Sequence, residues 1–306
     1  MVVFIMRRLL QLIPVLLGVI FVVFLIMYMV PGDPAVLLAG ESASPKQVEQ
    51  LRQNLGLDKP LFSQYITYVK DVLQGDLGTS YRSNRPVLDE ILVRLPTTIE
   101  LAVASIFVTI VLGLLAGIIS ATKQFSITDI SIMVVALLGV SLPNFWLGLM
   151  LILYFSVQIQ IFPVSGWGTF MHVILPAITL GTAGAGIVAR MTRSSMLEVI
   201  NQDYIRTAKA KGVKHQVVTY KHALKNALIP VVTVVGLQFG ALLGGTVLTE
   251  TVFAINGVGR LMIDAIRMRD FPVVQGSILV VSVIFVLVNL VVDISYRFLN
   301  KRIDLN

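Results

Sequence analysis

The sequence contains little charge and no cysteine, and both absences restrict the class of protein. Asp, Glu, Lys and Arg together make up 13% of the 306 residues, whereas hydrophobic residues make up 56%. Soluble domains have roughly 25% charged residues. A chain of this composition cannot cover its surface with polar groups, so we expect a polytopic membrane protein. The absence of cysteine excludes disulfides and thiolate sites.

Motifs for catalysis and for nucleotide or metal binding are also missing. No Gly-Lys dipeptide occurs, so the sequence has no P-loop. His172, His215 and His222 have no His or carboxylate at metal-ligand spacing. Ser165 lies in FPVSGWG, which is not a nucleophile elbow. We therefore expect no catalytic residue, no bound cofactor and no metal site in this chain.

Six apolar runs are long enough to cross a bilayer core of roughly 30 Å. These runs are Leu9–Val30, Thr98–Ala121, Ile127–Val157, Val173–Ala189, Ala227–Leu248 and Val273–Val292. Pro143 lies inside the third run and predicts a kink there. Glu100, Asp129 and Asp293 all fall near the ends of runs. The lack of charge at the centre of a run disfavours proton- or sodium-driven transport and voltage sensing.

The distribution of Lys and Arg predicts the orientation in the membrane. The loop after the fourth run carries eight basic residues, Arg190, Arg193, Arg206, Lys209, Lys211, Lys214, Lys221 and Lys225. The positive-inside rule places this loop and both termini in the cytoplasm, and residues 31–95 outside. The net charge of +7 is explained by such loops and by anionic lipids, so no nucleic acid partner is expected.

The sequence divides into three parts. Residues 1–30 form an N-terminal membrane helix, residues 31–95 an extracytoplasmic helical insertion, and residues 96–306 a five-helix core. In the insertion, Ser44 and Gln47 form a capping box that begins a helix, and Gly56 ends it. A second helix is predicted from Pro60 to Gln74, followed by Gly75.

Glycines recur at four-residue spacing in the fifth run, at Gly236, Gly240 and Gly244. Small residues let helix backbones approach closely, so these three glycines predict a helix-packing seam. The seam has two interpretations. It serves ordinary packing within the chain, or it is a sliding surface beside a pathway or a second subunit.

The basic segment 203–225 is the most informative part of the chain. Two short helices are predicted to meet at Gly212, for which we expect a positive φ. An apolar stripe is predicted at Val213, Val217, Tyr220, Leu224 and Ala227. An ordered joint of this kind favours docking on a partner. The simpler alternative is a loop that only sets topology.

Several stretches resemble the B-type permease of bacterial ABC importers for dipeptides, oligopeptides, glutathione and similar solutes. The matching stretches are PGDP at Pro31–Pro34, LGLDKPLFSQY at Leu55–Tyr65, GDLGTSYRSNRPV at Gly75–Val87, RMTRSSMLEV at Arg190–Val199, DYIRTAKAKG at Asp203–Gly212, HALKNALIPVVT at His222–Thr233 and RDFPVVQG at Arg269–Gly276. Ala208 and Gly212 match the E-A-A-x₃-G signature of importers, whereas Arg206 and Thr207 depart from it. Asn256 also departs, since most relatives have Pro at this position of the turn Ile255–Arg260.

The resemblance implies a six-helix permease of the type I importer fold in the bacterial cytoplasmic membrane. Its implied partners are a second permease subunit, two cytoplasmic ATPase subunits that bind ATP and Mg²⁺, and an extracytoplasmic solute-binding protein. The implied ATPase-coupling residues are Asp203, Tyr204, Arg206, Thr207, Ala208, Ala210, Lys211, Gly212, Val213, His215 and Val217. The alternatives are a secondary carrier and a membrane assembly subunit without ATPase coupling.

Overall fold

The computed structural model describes residues 2–29, 33–40 and 43–299. Pro31 and Gly32 of the PGDP motif lie outside this part, as do residues 300–306. The described residues form helices joined by turns, with an isolated antiparallel bridge between Thr79 and Pro86. The helices are α1 (Val2–Met29), α2 (Pro34–Ala39), α3 (Pro45–Asn54), α4 (Leu61–Leu73), α5 (Val87–Thr122), α6 (Ile127–Ser141), α7 (Asn144–Leu151), α8 (Phe170–Ile200), α9 (Asp203–Ala210), α10 (His215–Val217), α11 (Leu224–Val252), α12 (Val258–Met268) and α13 (Phe271–Leu299).

The chain forms two compact units. One contains the chain up to Leu95 together with Leu261–Val283, and the other contains Pro96–Arg260 and the chain from Ile284. The predicted division into three parts stays a prediction.

Four helices are long and apolar enough to cross a membrane: Val87–Thr122, Phe170–Ile200, Val218–Leu242 and Phe271–Val292. A fifth candidate joins Ile127–Ser141 to Asn144–Gln158, and α1 has a shorter apolar stretch, Leu10–Ile26. Each predicted run overlaps one of these segments, although the first has only the shorter apolar stretch of α1. The prediction of a helical polytopic membrane protein is confirmed. The fourth run is longer than predicted. Its helix continues past Ala189 to Ile200, so Arg190 and Arg193 lie on α8 and not in a loop.

The kink predicted at Pro143 is confirmed as a sharp break. Leu142 and Pro143 have extended backbones, with ψ of 132° and 130°. Proline lacks the N–H that an α-helix needs at this point and disfavours helical geometry in the residue before it. The helices on either side are bent by 105°. α7 then continues as a π-helix over Ile152–Gln158.

The insertion follows its local sequence signals. The backbone N–H of Ser44 donates to Gln47 Oε1 at 2.8 Å and the N–H of Gln47 donates to Ser44 Oγ at 3.4 Å, which confirms the capping box. Gly56 and Gly75 follow α3 and α4 with φ of +67° and +82°. Asp33 caps α2 and pairs with Arg52. The hydrogen bond from the Arg52 guanidinium lowers the pKa of the Asp33 carboxyl.

In the second unit, α8 packs against its neighbours through small residues. A Cβ on Gly181 would lie 2.8 Å from Ser105 O on α5, and one on Gly186 would lie 2.3 Å from Ala136 O on α6. On α5, a Cβ on Gly113 would lie 2.6 Å from Val188. These distances leave no room for side chains. The glycines therefore set the distance between the helix axes.

The predicted seam on α11 is present at two of its three glycines. A Cβ on Gly236 would lie 2.3 Å from Val292 Cγ1, and one on Gly240 would lie 3.0 Å from the Phe285 ring. Gly244 is exposed and a Cβ there would meet nothing within 4 Å. The prediction that Gly244 belongs to a packed seam within the chain is therefore wrong. The reason is that α13 contacts α11 at Gly236 and Gly240 but has no atom within reach of Gly244.

Candidate functional site

The segment that follows α8 is held by a buried apolar cluster. Ile205 on α9 is fully buried and packs with Met196 on α8, Ala121 on α5 and Ala227 on α11. Ala208 and Val213 pack partly against the same cluster. α9 is only eight residues long, so its position depends on these contacts and not on its own helical stability.

The joint at Gly212 is a Schellman motif. The N–H of Gly212 donates to Lys209 O at 3.0 Å, and the N–H of Val213 donates to Ala208 O at 3.2 Å. This pattern requires a left-handed residue after the helix, and Gly212 has φ of +75°. The predicted positive φ is confirmed. A Cβ on Gly212 would meet nothing within 4 Å, so the backbone conformation and not lack of space selects glycine here.

The outward side of this segment is exposed and basic. Its exposed residues are Asp203, Tyr204, Arg206, Thr207, Lys209, Ala210, Lys211, Gly212 and Lys214. The hydroxyl of Tyr204 accepts a hydrogen bond of 2.7 Å from Asn226 Nδ2, which links α9 to α11. The ion pair of Arg206 with Asp203 spans 3.8 Å between highly exposed side chains, and such pairs contribute little to stability. The surface is therefore available to an acidic or mixed partner surface. The side chain of His215 lies outside the described residues.

The predicted apolar stripe is wrong at two positions. Val217 and Tyr220 are 37% and 58% exposed, whereas Val218, Thr219 and Ala223 are buried. The cause is a π-helix over Val218–Ala223, which has more residues per turn than an α-helix. The wider turn shifts the buried face relative to α-helical spacing. His215 to Val252 consequently forms one helical run through α10, the π-helix and α11.

An ion pair between the buried Asp129 and the partly buried Arg193 lies beside the apolar cluster, and sequence analysis did not predict it. Arg193 on α8 donates to both carboxylate oxygens of Asp129 on α6, at 2.8 and 2.7 Å. The hydroxyl of Ser120 and the N–H of Phe125 also donate to this carboxylate. Ser120 neighbours Ala121 of the cluster, so the pair and its hydrogen bonds link α5, α6 and α8 beside the cluster that holds α9. The available signal was Asp129 in the first turn of a helix capped by Ser126.

A second buried carboxylate, Glu250, lies at the opposite end of α11 and was also missed. Its carboxylate accepts a hydrogen bond of 2.8 Å from the Thr98 hydroxyl and one of 2.9 Å from the backbone N–H of Arg260. A Cβ on Gly257 would lie 2.5 Å from the carboxylate, so the turn Ile255–Arg260 closes tightly around it. Glu250 lies beyond the span Val218–Leu242, and burial raises the pKa of its carboxyl.

Two of the recognised motifs meet in the first unit. Asp270, in the stretch Arg269–Gly276, is buried. Its carboxylate accepts a hydrogen bond of 2.5 Å from the hydroxyl of Ser80 and one of 3.1 Å from the backbone N–H of Tyr81. A Cβ on Gly276 would lie 2.5 Å from Val87. Stretches about 190 residues apart in sequence thus contact each other.

Comparison with known proteins gives a consistent result. Residues 113–305 match the family described as binding-protein-dependent transport system inner membrane component. Residues 1–102 match the N-terminal region of membrane components of such systems.

Two curated relatives cover almost the whole chain. The dipeptide transport system permease protein DppB of Alkalihalophilus pseudofirmus is 49% identical over 97% of this chain and 98% of its own length. The glutathione transport system permease protein GsiC of Escherichia coli is 47% identical over 98% of both chains. Among solved structures, a chain of the methionine ABC transporter MetNI superimposes with a TM-score of 0.59 at 19% identity. It covers 69% of this chain and 96% of its own length. At this identity the superposition shows the fold alone.

Proposed function

The chain belongs to the family of binding-protein-dependent transport system inner membrane components, and from this premise we propose that it forms the membrane pathway of an ATP-driven importer for dipeptides or a related solute such as glutathione. DppB and GsiC, which are 49% and 47% identical to this chain over nearly its full length, are permease proteins of dipeptide and glutathione transport systems. The family membership supports the importer permease over a secondary carrier or an assembly subunit.

ATP hydrolysis takes place on partner subunits in this proposal. The sequence has no P-loop, so ATP and Mg²⁺ are bound by two cytoplasmic ATPases. A second permease subunit completes the pathway. A solute-binding protein delivers the solute on the extracytoplasmic side, where it meets the 31–95 insertion and the connection between Glu250 and Phe271.

The observation that carries the coupling proposal is the joint at Gly212. Exposed residues of α9 contact the ATPase, while Ile205 is anchored in the buried cluster. Movement of the ATPase then turns α9 about Gly212 and acts on the helical run His215–Val252. The pair of Arg193 with Asp129 holds α8 and α6 fixed during this movement.

The proposed function is tested by purifying the tagged chain with its neighbours from the native membrane. We expect an ATPase of the P-loop class and a second permease to co-purify. After reconstitution into vesicles, a radiolabelled dipeptide should accumulate only when ATP and the cognate binding protein are present. Accumulation driven by a proton or sodium gradient without ATP would contradict the proposal.

The proposed orientation predicts a labelling pattern on intact cells. Ser83 and Lys214 are both exposed, and the chain has no native cysteine. We expect Ser83→Cys to react with an impermeant maleimide and Lys214→Cys to react only after the membrane is permeabilised, because the basic segment lies inside. The reverse pattern would overturn the orientation and place both termini outside.

A further inference from the structure

Helix α4 (Leu61–Leu73) of the insertion is strongly amphipathic. Successive residues of an α-helix are about 100° apart, which places all its apolar residues on one side and its polar residues on the other. The apolar residues are Leu61, Phe62, Tyr65, Ile66, Tyr68, Val69, Val72 and Leu73, and the polar residues are Ser63, Gln64, Thr67, Lys70 and Asp71. The apolar arc is about 160° wide at this spacing.

One half of the apolar arc packs on the membrane helix α1. The ring of Tyr65 contacts Phe21 and Phe24 at centroid distances of 5.6 and 5.5 Å. Tyr68 lies 6.1 Å from Phe24. Both phenylalanines belong to the apolar stretch Leu10–Ile26 of α1. Phe21 lies about 8 Å inside the end of that stretch, at about 1.5 Å per residue. α4 therefore contacts α1 within the apolar run that is predicted to cross the membrane.

The other half of the apolar arc has no cover within the described part of the chain. Phe62, Ile66 and Leu73 are 75%, 49% and 76% exposed. On α1, the neighbouring Phe21 and Leu25 are also exposed, at 50% and 42%. Large apolar side chains that are left uncovered on a spanning helix face the lipid. The uncovered stripe of α4 continues this lipid-facing surface, because both surround the Tyr65 contact.

We infer that α4 lies in the membrane interface on the side of the insertion, with Phe62, Ile66 and Leu73 among the lipid acyl chains. Ser63, Thr67 and Lys70 are exposed on the opposite side and face head groups and water. An amphipathic helix parallel to the membrane has this arrangement. A soluble binding protein does not fit the stripe, because the stripe adjoins a surface that is already covered by lipid. The inference requires neither an ATPase nor a particular solute and is independent of the proposed function.

The test is a spin-label scan of α4 in the full chain. Single cysteines replace Phe62, Ile66 and Leu73 on the apolar side, and Ser63, Thr67 and Lys70 serve as matched controls on the same helix. The labelled chain is reconstituted into vesicles of phosphatidylethanolamine and phosphatidylglycerol. Collision rates are measured with oxygen, which concentrates in lipid, and with a nickel chelate, which stays in water. We expect the oxygen-to-nickel ratio to be several-fold higher at the three apolar positions than at the three controls.

Other outcomes overturn the inference in distinguishable ways. High nickel accessibility at Phe62, Ile66 and Leu73 would place the stripe in water. Low accessibility to both reagents would mean that protein covers the stripe, either a second copy or another subunit. High oxygen accessibility at all six positions would place α4 in the bilayer core. Because each label changes one residue of the stripe, a variant that fails to fold leaves the other two to decide.

Discussion

Replacing Gly212 with Val is expected to abolish solute uptake while the chain still reaches the membrane at a near-normal level. Gly212 has φ of +75°, a conformation that costs an L-residue about 1–2 kcal/mol and a β-branched residue more. Space is not the reason, since a Cβ would meet nothing within 4 Å. The substitution therefore changes the angle between α9 and the following helix without disturbing the spans.

The size of the effect follows from the population of the correct joint. A strain of about 1.4 kcal/mol reduces the correctly bent state roughly tenfold relative to alternatives. We expect Gly212→Ala to lower uptake by up to about this factor and Gly212→Val to lower it further. Uptake and ATP hydrolysis should be measured on the same reconstituted preparation. Stimulation of hydrolysis by the loaded binding protein should disappear together with uptake.

Gly75 provides the matched control for this experiment. It ends α4 in the same Schellman pattern, with hydrogen bonds of 3.0 Å from Gly75 to Val72 O and 2.9 Å from Asp76 to Asp71 O. Its φ is +82° and a Cβ would also meet nothing within 4 Å. Gly75→Val thus introduces the same strain outside the coupling segment, in the insertion that meets the binding protein and not the ATPase, and should leave stimulated hydrolysis in place when the binding protein is supplied at saturating concentration. Equal loss of stimulated hydrolysis in the two variants, or normal uptake by Gly212→Val, would refute the claim that Gly212 is the coupling joint.

Gly236→Leu is expected to destabilise the chain strongly, whereas Gly244→Leu on the same helix is not. A Cβ on Gly236 would lie 2.3 Å from Val292 Cγ1, and a Cβ on Gly244 would meet nothing within 4 Å. Overpacking of this kind costs about 1–3 kcal/mol or more, because α13 must move away from α11. The two variants share the residue change and the helix, and differ only in the facing surface.

Thermal unfolding of the purified chain in detergent measures this difference. The midpoint for Gly236→Leu should fall well below that of the parent, and the membrane level should fall with it. Gly244→Leu should unfold at the same midpoint temperature as the parent. A lower midpoint for Gly244→Leu, or equal tolerance of both changes, would mean that α11 presents a different face to α13.

The features that could be predicted from the sequence depend on residues that are close to each other in the chain. The capping box at Ser44 and the left-handed conformation at Gly212 follow from residues within a few positions of each other, and both are present. The break at Pro143 follows from the missing N–H of proline. Hydrophobic runs of sufficient length identified the membrane segments because a bilayer requires them.

Features that depend on distant residues could not be predicted in this way. Asp129 and Arg193 are 64 positions apart, and nothing near either residue indicates the other. Thr98 and Glu250 are 152 positions apart. In the sequence, nothing distinguishes Glu250 from other charged residues of the connection between the fifth and sixth runs. The coupling role of the segment around Gly212 stays a prediction, because it concerns a partner surface and not a contact within the chain.

The π-helix over Val218–Ala223 also bears on how sequences of this family should be aligned. A π-turn accommodates one residue more than the α-helical count, so this helix has a position where a residue can be lost without breaking either end. Deleting one residue there restores α-helical geometry and leaves α10 and α11 facing the same sides, whereas a deletion in an α-helical part of the run would rotate one end by about 100° relative to the other. Relatives one residue shorter at this point would keep their basic segment on the same side of the helix. A single-residue gap between His215 and Leu224 is therefore a structural event and should not be treated as alignment noise.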